Sequence, residues 1–575
     1  MSTNRKKRPV VKTLLAILAV AAFAPTMLVA EEKGVAGDKG RPESVAATNS
    51  QPGASETQIK ALQEKITRQQ AQIDQLLGIV GELKQRLDGA TPSSNPSPAL
   101  IPIIGTVASV TPVIPRAAEP AAPVTVLAAK PAQEQPVGAS PLQFHIGSAT
   151  IIPVGFMDFT SVWRSHDGGS GIGTNFAGIP YGSVFQNNLS EFRLSMQNSR
   201  IGFRVDAMVK GAHAIGYMES DFLGNNPGNV AVSSNSNTLR SRLYWVDLRK
   251  GRWEVLGGQT WSLITPGRTG ISPLPGDLFY TQNIDVNYQL GLFWGRIPEF
   301  RVVFHPSNKA AFAIALDSPE QYVGGSAGGG LITLPSALNT SSTYQGELNI
   351  GSNTLNVPNV APDVIAKLAL DPAKRVHFEV GGIERNFKVW NPTNATKYTA
   401  TGGGAFLNLN LELAKGFRVM TNNFWSDGGG RYIFGQAPDL IAHADGSISL
   451  IHADSSVTGF EFTHKNSLVY AYYGGLYVGR NVAFDTTAKT PGFVGYGYPG
   501  APAGQNRAVQ EGTFGLAQTF WKDAKYGALT FMGQYSYVTR NPWSIAAGQP
   551  LNANLNMVFL NLRYTLPGSA PTLGK

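Results

Sequence analysis

Between positions 143 and 567, apolar and polar residues alternate with period two over many segments of about ten residues. Leu407, Leu409, Leu411 and Leu413 share one face, while Asn408, Asn410 and Glu412 share the other. Val558, Leu560, Leu562, Tyr564 and Leu566 oppose Asn561, Arg563 and Thr565 in the same way. Phe312, Ile314 and Leu316 oppose Ala313, Ala315 and Asp317, and Val364, Ala366, Leu368 and Leu370 oppose Lys367. Such alternation is that of a sheet with one apolar and one polar face. Over 190–207 the phase slips, from Phe192, Leu194 and Met196 to Ile201, Phe203 and Val205. A β-bulge near Gln197–Ser199 would restore it.

The connections alternate as well. Short polar turns fall at 210–212, 249–252, 306–309, 371–374, 415–416, 464–466 and 523–526. Between them lie loops rich in Gly, Asn, Ser and Pro, at about 165–188, 223–238, 263–285, 319–361, 391–403, 428–454, 482–508 and 541–553. Seven turns and eight loops join sixteen strands. Short turns at one end and long loops at the other are the pattern of an outer-membrane barrel. A soluble sandwich would hide its apolar faces against a second sheet and leaves that asymmetry unexplained. Trp163, Trp245, Trp253, Trp261, Trp425, Trp521, Tyr526 and Trp543 gather near strand ends, where an interfacial girdle wants aromatic rings. The expected fold is all-β: a 16-stranded antiparallel transmembrane β-barrel over 143–567, preceded by a coiled-coil helix. An even strand number puts both barrel ends on the periplasmic side.

The first 141 positions read differently. Residues 1–30 have the form of a signal peptide: basic Arg5, Lys6, Lys7, Arg8 and Lys12, an apolar run from Leu14 to Ala24, and Ala30 before Glu31. Residues 31–54 are polar and expected to be disordered. Residues 55–89 carry strict heptads, with Ile59, Ile66, Ile73, Val80 and Leu87 at a and Leu62, Gln69, Leu76 and Leu83 at d. Ser55 and Gln58 form a capping-box start and Gly89 a stop. Residues 90–141 form a Pro/Ala-rich linker, and 568–575 a tail. The uncharged stretch Ser97–Pro115 contains Pro98, Pro102, Pro112 and Pro115, which exclude a membrane helix. A closed barrel is then the one remaining way into a bilayer.

Composition narrows the chemistry. Only 15% of the 575 residues are charged, against about 25% in soluble domains. There is no cysteine, so no disulfide, thiolate metal site or thiol nucleophile exists. The net charge of +9 falls to +4 without the five basic residues of positions 1–30, and no basic block follows. Nucleic acid is therefore not an expected partner. Ser262 with His305 or His464 could be offered as a hydrolase pair, but no G-x-S-x-G elbow surrounds a serine. The eight histidines lack metal-ligand spacing. No enzyme, metal or cofactor is expected.

Several segments carry a resemblance: NSRIGFRVDA (198–207), GYMESDFLG (216–224), LRSRLYWVDL (239–248), GGQTWSL (257–263), RIPEFRVVF (296–304) and ALDSPE (315–320). With the order of signal peptide, coiled coil, linker and barrel, the chain resembles the DcaP-like porins of Gram-negative outer membranes. The resemblance implies a homotrimer embedded in outer-membrane lipid, with the coiled coil in the periplasm. It also implies passage of small, preferentially anionic solutes such as dicarboxylates. Two features depart from that pattern: Pro567 and a tail follow Tyr564 and Leu566 where a terminal aromatic is usual, and the 319–361 loop is long.

Phase assigns side chains to the lumen. Arg240, Arg242 and Tyr244 are expected there, opposite Leu239, Leu243 and Trp245. Arg193, Arg200, Arg204 and Arg301 join them, with Glu219 and Asp221 on a neighbouring strand and Glu299 beside Arg301. A basic ladder lowers the barrier for anions, and guanidinium matches carboxylate bidentately. The alternative for each arginine is to brace the wall by pairing with Glu219, Asp221 or Glu299. The Pro/Gly-stiffened loop 263–285, with Arg268 and Asp277 as its charged candidates, can fold inward as a constriction or cap the barrel outside. The expected function is passive diffusion of small anions. The alternatives are a structural tether or adhesin anchored by the barrel, and a pore for phosphate or sugar.

Overall fold

The computed structural model describes residues 142–226, 237–325, 329–350, 361–434 and 436–567. The signal peptide, the polar segment, the coiled coil, the linker and the tail all lie outside the described residues.

Sixteen antiparallel strands close into a barrel. Strand β1 is Ala149–Arg164, and β2 runs as Glu191–Ser195 and Arg200–Val209 on either side of a break. Next come β3 Ala212–Asp221, β4 Arg240–Lys250, β5 Trp253–Trp261, β6 Arg296–Ser307, β7 Ala310–Asp317 and β8 Asp363–Ala373. Then follow β9 Val376–Asn391, β10 Thr396–Ala414, β11 Phe417–Asp427 and β12 His452–His464. The last four are β13 Ser467–Val478, β14 Asn506–Asp523, β15 Gly527–Pro542 and β16 Ala553–Thr565. Each strand pairs with its sequence neighbour, and β16 closes on β1 from Phe156↔Thr565 to Arg164↔Met557. The break in β2 spans 196–199, where the phase slip places a bulge; both halves still pair with β1.

The two faces separate as the alternation requires. Phe300, Phe312, Ile314 and Leu316 are exposed on the outside, while Glu299, Arg301, Ala313 and Asp317 are buried inside. So wide an exposed apolar belt is stable in hydrocarbon, not in water. No helix among the described residues is long and apolar enough to cross a membrane.

Two sequence expectations need correction. First, Tyr244 does not face the lumen: its side chain is 41% exposed on the outer face, where its hydroxyl meets Ser220 Oγ at 3.1 Å. The cause is a register shift between Glu219 and Ser220 on β3, which leaves one extra residue in β4. Arg242 and Leu243 therefore both turn inward, and from there Trp245 and Asp247 point in while Tyr244, Val246 and Leu248 point out. Trp245, and Trp261 at 2% exposure, are thus interior residues, whereas Trp253, Trp425, Trp521 and Tyr526 are exposed as a girdle requires.

Second, 391–403 is not a long loop. β9 and β10 pair continuously up to Asn391↔Thr396 and leave a four-residue turn. Glu384, Asn386 and Lys388 line the outer face of this extension opposite Gly403, Thr401 and Thr399, so the hairpin rises above the apolar belt. Its inner face, with Phe387 and Val389, packs into one buried cluster with loop residues Phe176, Phe293, Tyr344, Tyr432 and Leu440.

Candidate functional site

The connection 262–295 between β5 and β6 touches wall strands on all sides, which is possible only from within the barrel. Against β8 and β9, Lys367 Nζ donates to Thr265 O (2.7 Å), and the Gly267 amide donates to Glu379 (3.1 Å). The Gly270 amide donates to Asp371 at 2.9 Å, two positions from the end of β8, so the tip reaches toward the short turns. On the far wall, Arg268 grips Glu461 of β12 through two hydrogen bonds of 3.0 and 2.9 Å. Tyr472 of β13 donates to Glu461 (2.8 Å) and accepts from the Gln282 amide (3.1 Å). The Leu290 amide donates to Glu511 of β14 (2.8 Å), and the Ile284 amide to Gln534 of β15 (2.6 Å). Gly291, at φ +91°, lies so near the wall that a Cβ there would sit 2.2 Å from Ser456 O. The loop therefore folds inward. Arg268 is one of its anchors, and Asp277 shapes it by accepting from Ser272 Oγ (2.8 Å).

Most of the inward arginines are tied to carboxylates. Arg242 bonds Glu219 (2.8 Å) and Asp221 (2.6 Å) and keeps 4% of its side-chain surface. Arg200 bonds Glu219 (3.3 Å), Arg204 bonds Asp206 (2.7 Å), and buried Arg301 bonds Glu299. These brace the wall. Two others hold a carboxylate and still face open space: Arg240, on Asp221 at 2.8 Å with 39% of its side chain exposed, and Arg193, on Glu191 at 2.7 Å with 44%.

Sequence reasoning missed Arg296. It opens β6 opposite Trp261 and makes no hydrogen bond or ion pair with any described residue. Its Nε is buried without a partner, and its guanidinium carbon lies 5.6 Å from the ring centroids of both Trp261 and Trp294. Tyr280 and Tyr288 of the inward loop stack into the same aromatic group. Burial alone would raise the pKa of the Tyr288 hydroxyl, but Arg200, Arg242 and Arg296 hold it below the ordinary tyrosine value. Four arginines (Arg200, Arg240, Arg242 and Arg296) thus face two carboxylates, Glu219 and Asp221. The local field is positive, and Arg296 is its uncommitted cation. Position 296 has the parity of the outward residues Pro298 and Phe300 on β6, opposite to that of Glu299 and Arg301, so phase did not single it out.

No family model matches this chain, and no curated protein does. Among solved structures it is similar to the outer membrane channel DcaP of Acinetobacter baumannii. That match has 14% identity and a TM-score of 0.53, and covers 73% of this chain and 97% of the other. The chain has the DcaP channel fold. An anion-selective porin from Comamonas acidovorans also matches, at 12% identity and a TM-score of 0.40, over 72% of this chain and 99% of the other. The DcaP-like fold accounts for the sixteen strands; the arrangement around Arg296 is read from this chain's own residues.

Proposed function

We propose that the protein is an outer-membrane porin through which small solutes diffuse passively, with a preference for anions of dicarboxylate type. The observation that carries this reading is Arg296, at the start of β6 where the lumen-crossing loop ends, which pairs with no acid among the described residues and shares the field of Arg240, Arg242 and, through Tyr288, Arg200. An anion approaching this point gains charge-assisted hydrogen bonds and displaces no acid, whereas a cation meets a net positive field. A passive pore needs no nucleophile, and none is invoked. In the same reading the chain is a homotrimer, with the heptads of 55–89 forming a periplasmic coiled coil.

The reading distinguishes the protein from a tether or adhesin, since an inert anchor has no use for a loop bolted across its lumen by Arg268, Lys367 and Glu511. Planar-bilayer recording of the purified full-length chain is the test. Discrete conductance steps are expected; folded protein that leaves the bilayer silent would favour the tether.

A further inference from the structure

A pair of uncommitted arginines lies outside the barrel, at the long-loop end. Arg480 follows β13 and Arg507 opens β14; both are exposed, and neither makes a hydrogen bond or ion pair with any described residue. Their guanidinium carbons lie 4.3 and 6.0 Å from the ring of Trp543. The indole is fixed, because its Nε1 donates to Val478 O (2.9 Å) and its backbone amide to Gln505 O (2.9 Å). Gly497, at φ +76°, closes beneath it; a Cβ there would sit 2.8 Å from Trp543 Cδ1 and 3.0 Å from Arg480 Cγ. The neighbouring acids of this rim, Asp427 and Asp454, are bridged by His452 at 2.9 and 3.2 Å and leave both arginines uncompensated.

Below the arginines, the outer face forms a groove. Tyr477 pairs with Ala508, and two outward rows further down, past Gly475 and Gln510, Gly512 lies between Tyr473 and Tyr537. The three tyrosines are exposed, and a Cβ on Gly512 would meet nothing within 4 Å. Phe514 and Tyr535 continue the apolar surface in the next row. Two cations at the interface above a glycine-floored, tyrosine-walled groove match a ligand with a phosphate head and a hydrocarbon chain.

We propose that this face binds the phosphorylated glycolipid of the outer leaflet, with its phosphate on Arg480 and Arg507 and an acyl chain over Gly512. Guanidinium pairs bidentately with phosphate oxygens, and the membrane interface keeps the pair from full solvation. The proposal rests on the outer-membrane reading above, in which the long loops face outward.

Native mass spectrometry of the full-length chain, titrated with lipid A in detergent, tests it. Saturable binding is expected, weakened roughly ten- to thirtyfold by Arg480→Gln with Arg507→Gln, since each interfacial arginine contributes on the order of a fivefold factor. Gly512→Leu, which fills the groove without touching the charge, should weaken it as well, and dephosphorylated lipid A should bind poorly. Unchanged affinity in the double variant, or equal affinity for the dephosphorylated lipid, would overturn the site. Conductance recorded from the same preparations separates the two readings. Lost lipid binding with intact conductance supports the site, and lipid binding by a non-conducting native protein overturns the pore and not the site.

Discussion

Arg268 and Glu461 stand 193 positions apart in the sequence and meet inside the barrel through two parallel hydrogen bonds of 3.0 and 2.9 Å. The pair fastens a loop that leaves one wall to the wall opposite. Both partners are largely buried, so removing one leaves the other uncompensated, at a cost of about 3–5 kcal/mol. Arg268→Ala should therefore lower the thermal stability of the barrel in detergent and give larger, noisier conductance steps. Arg268→Met with Glu461→Gln, which leaves no lone charge, should recover most of the stability. Quiet, unaltered channels from Arg268→Ala would show that the pair does not hold the loop.

Arg301 and Arg296 should separate stability from selectivity. Arg301→Gln strands buried Glu299 and should destabilise the protein on the order of 3 kcal/mol or more, with little effect on ion preference. Arg296→Gln strands no acid, so it should leave the melting temperature nearly unchanged and reduce anion preference. Thermal melts and bilayer recordings of the two variants check the pair; equal effects on selectivity would contradict the assignment.

These contrasts mark how far the sequence could be read. Strict alternation in stretches such as 407–413 and 312–317 located the strands, because only one side of a barrel wall meets lipid. It failed at β4, where a single extra residue at Arg242 reversed the phase and carried Tyr244 outside. It also failed at the β9–β10 hairpin, whose polar outer face above the membrane looked like loop. The destination of 262–295 was beyond local pattern, because its anchors Glu379, Glu461 and Glu511 come from distant strands. That most inward arginines brace the wall depends on which carboxylate lies across the ladder, and phase alone does not say.

The docking of the inward loop should depend on pH. Asp285 is buried, and burial raises its carboxyl above the ordinary range despite Arg164 and the amides of Thr174 and Asn287. Such a group binds its proton more tightly folded than unfolded. Its contribution is fully present below the ordinary carboxylate value and is lost as pH rises through the elevated one. Asp285→Asn, which keeps an acceptor for those amides, should raise thermal stability at about pH 8 and change it little at about pH 4. The same shift at both would refute the burial argument.

Assembly gives a further prediction. Ile or Val mostly at a and Leu mostly at d favour two strands in isolation, yet the porin reading requires three, and Gln69 at d blurs the dimer preference. Barrel contacts can impose the stoichiometry on helices held locally concentrated by linkage. Deleting residues 55–88 should weaken the trimer and leave each barrel folded and conducting. Native mass spectrometry before and after the deletion checks this, and a stable dimer from the intact chain would overturn it.

The most direct measurement is the reversal potential of the full-length protein in a planar bilayer under a steep KCl gradient. The account predicts a sign that reports chloride as the more permeant ion, shifted toward zero by Arg296→Gln. A cation-preferring native channel, or an anion preference untouched by Arg296→Gln, would contradict it.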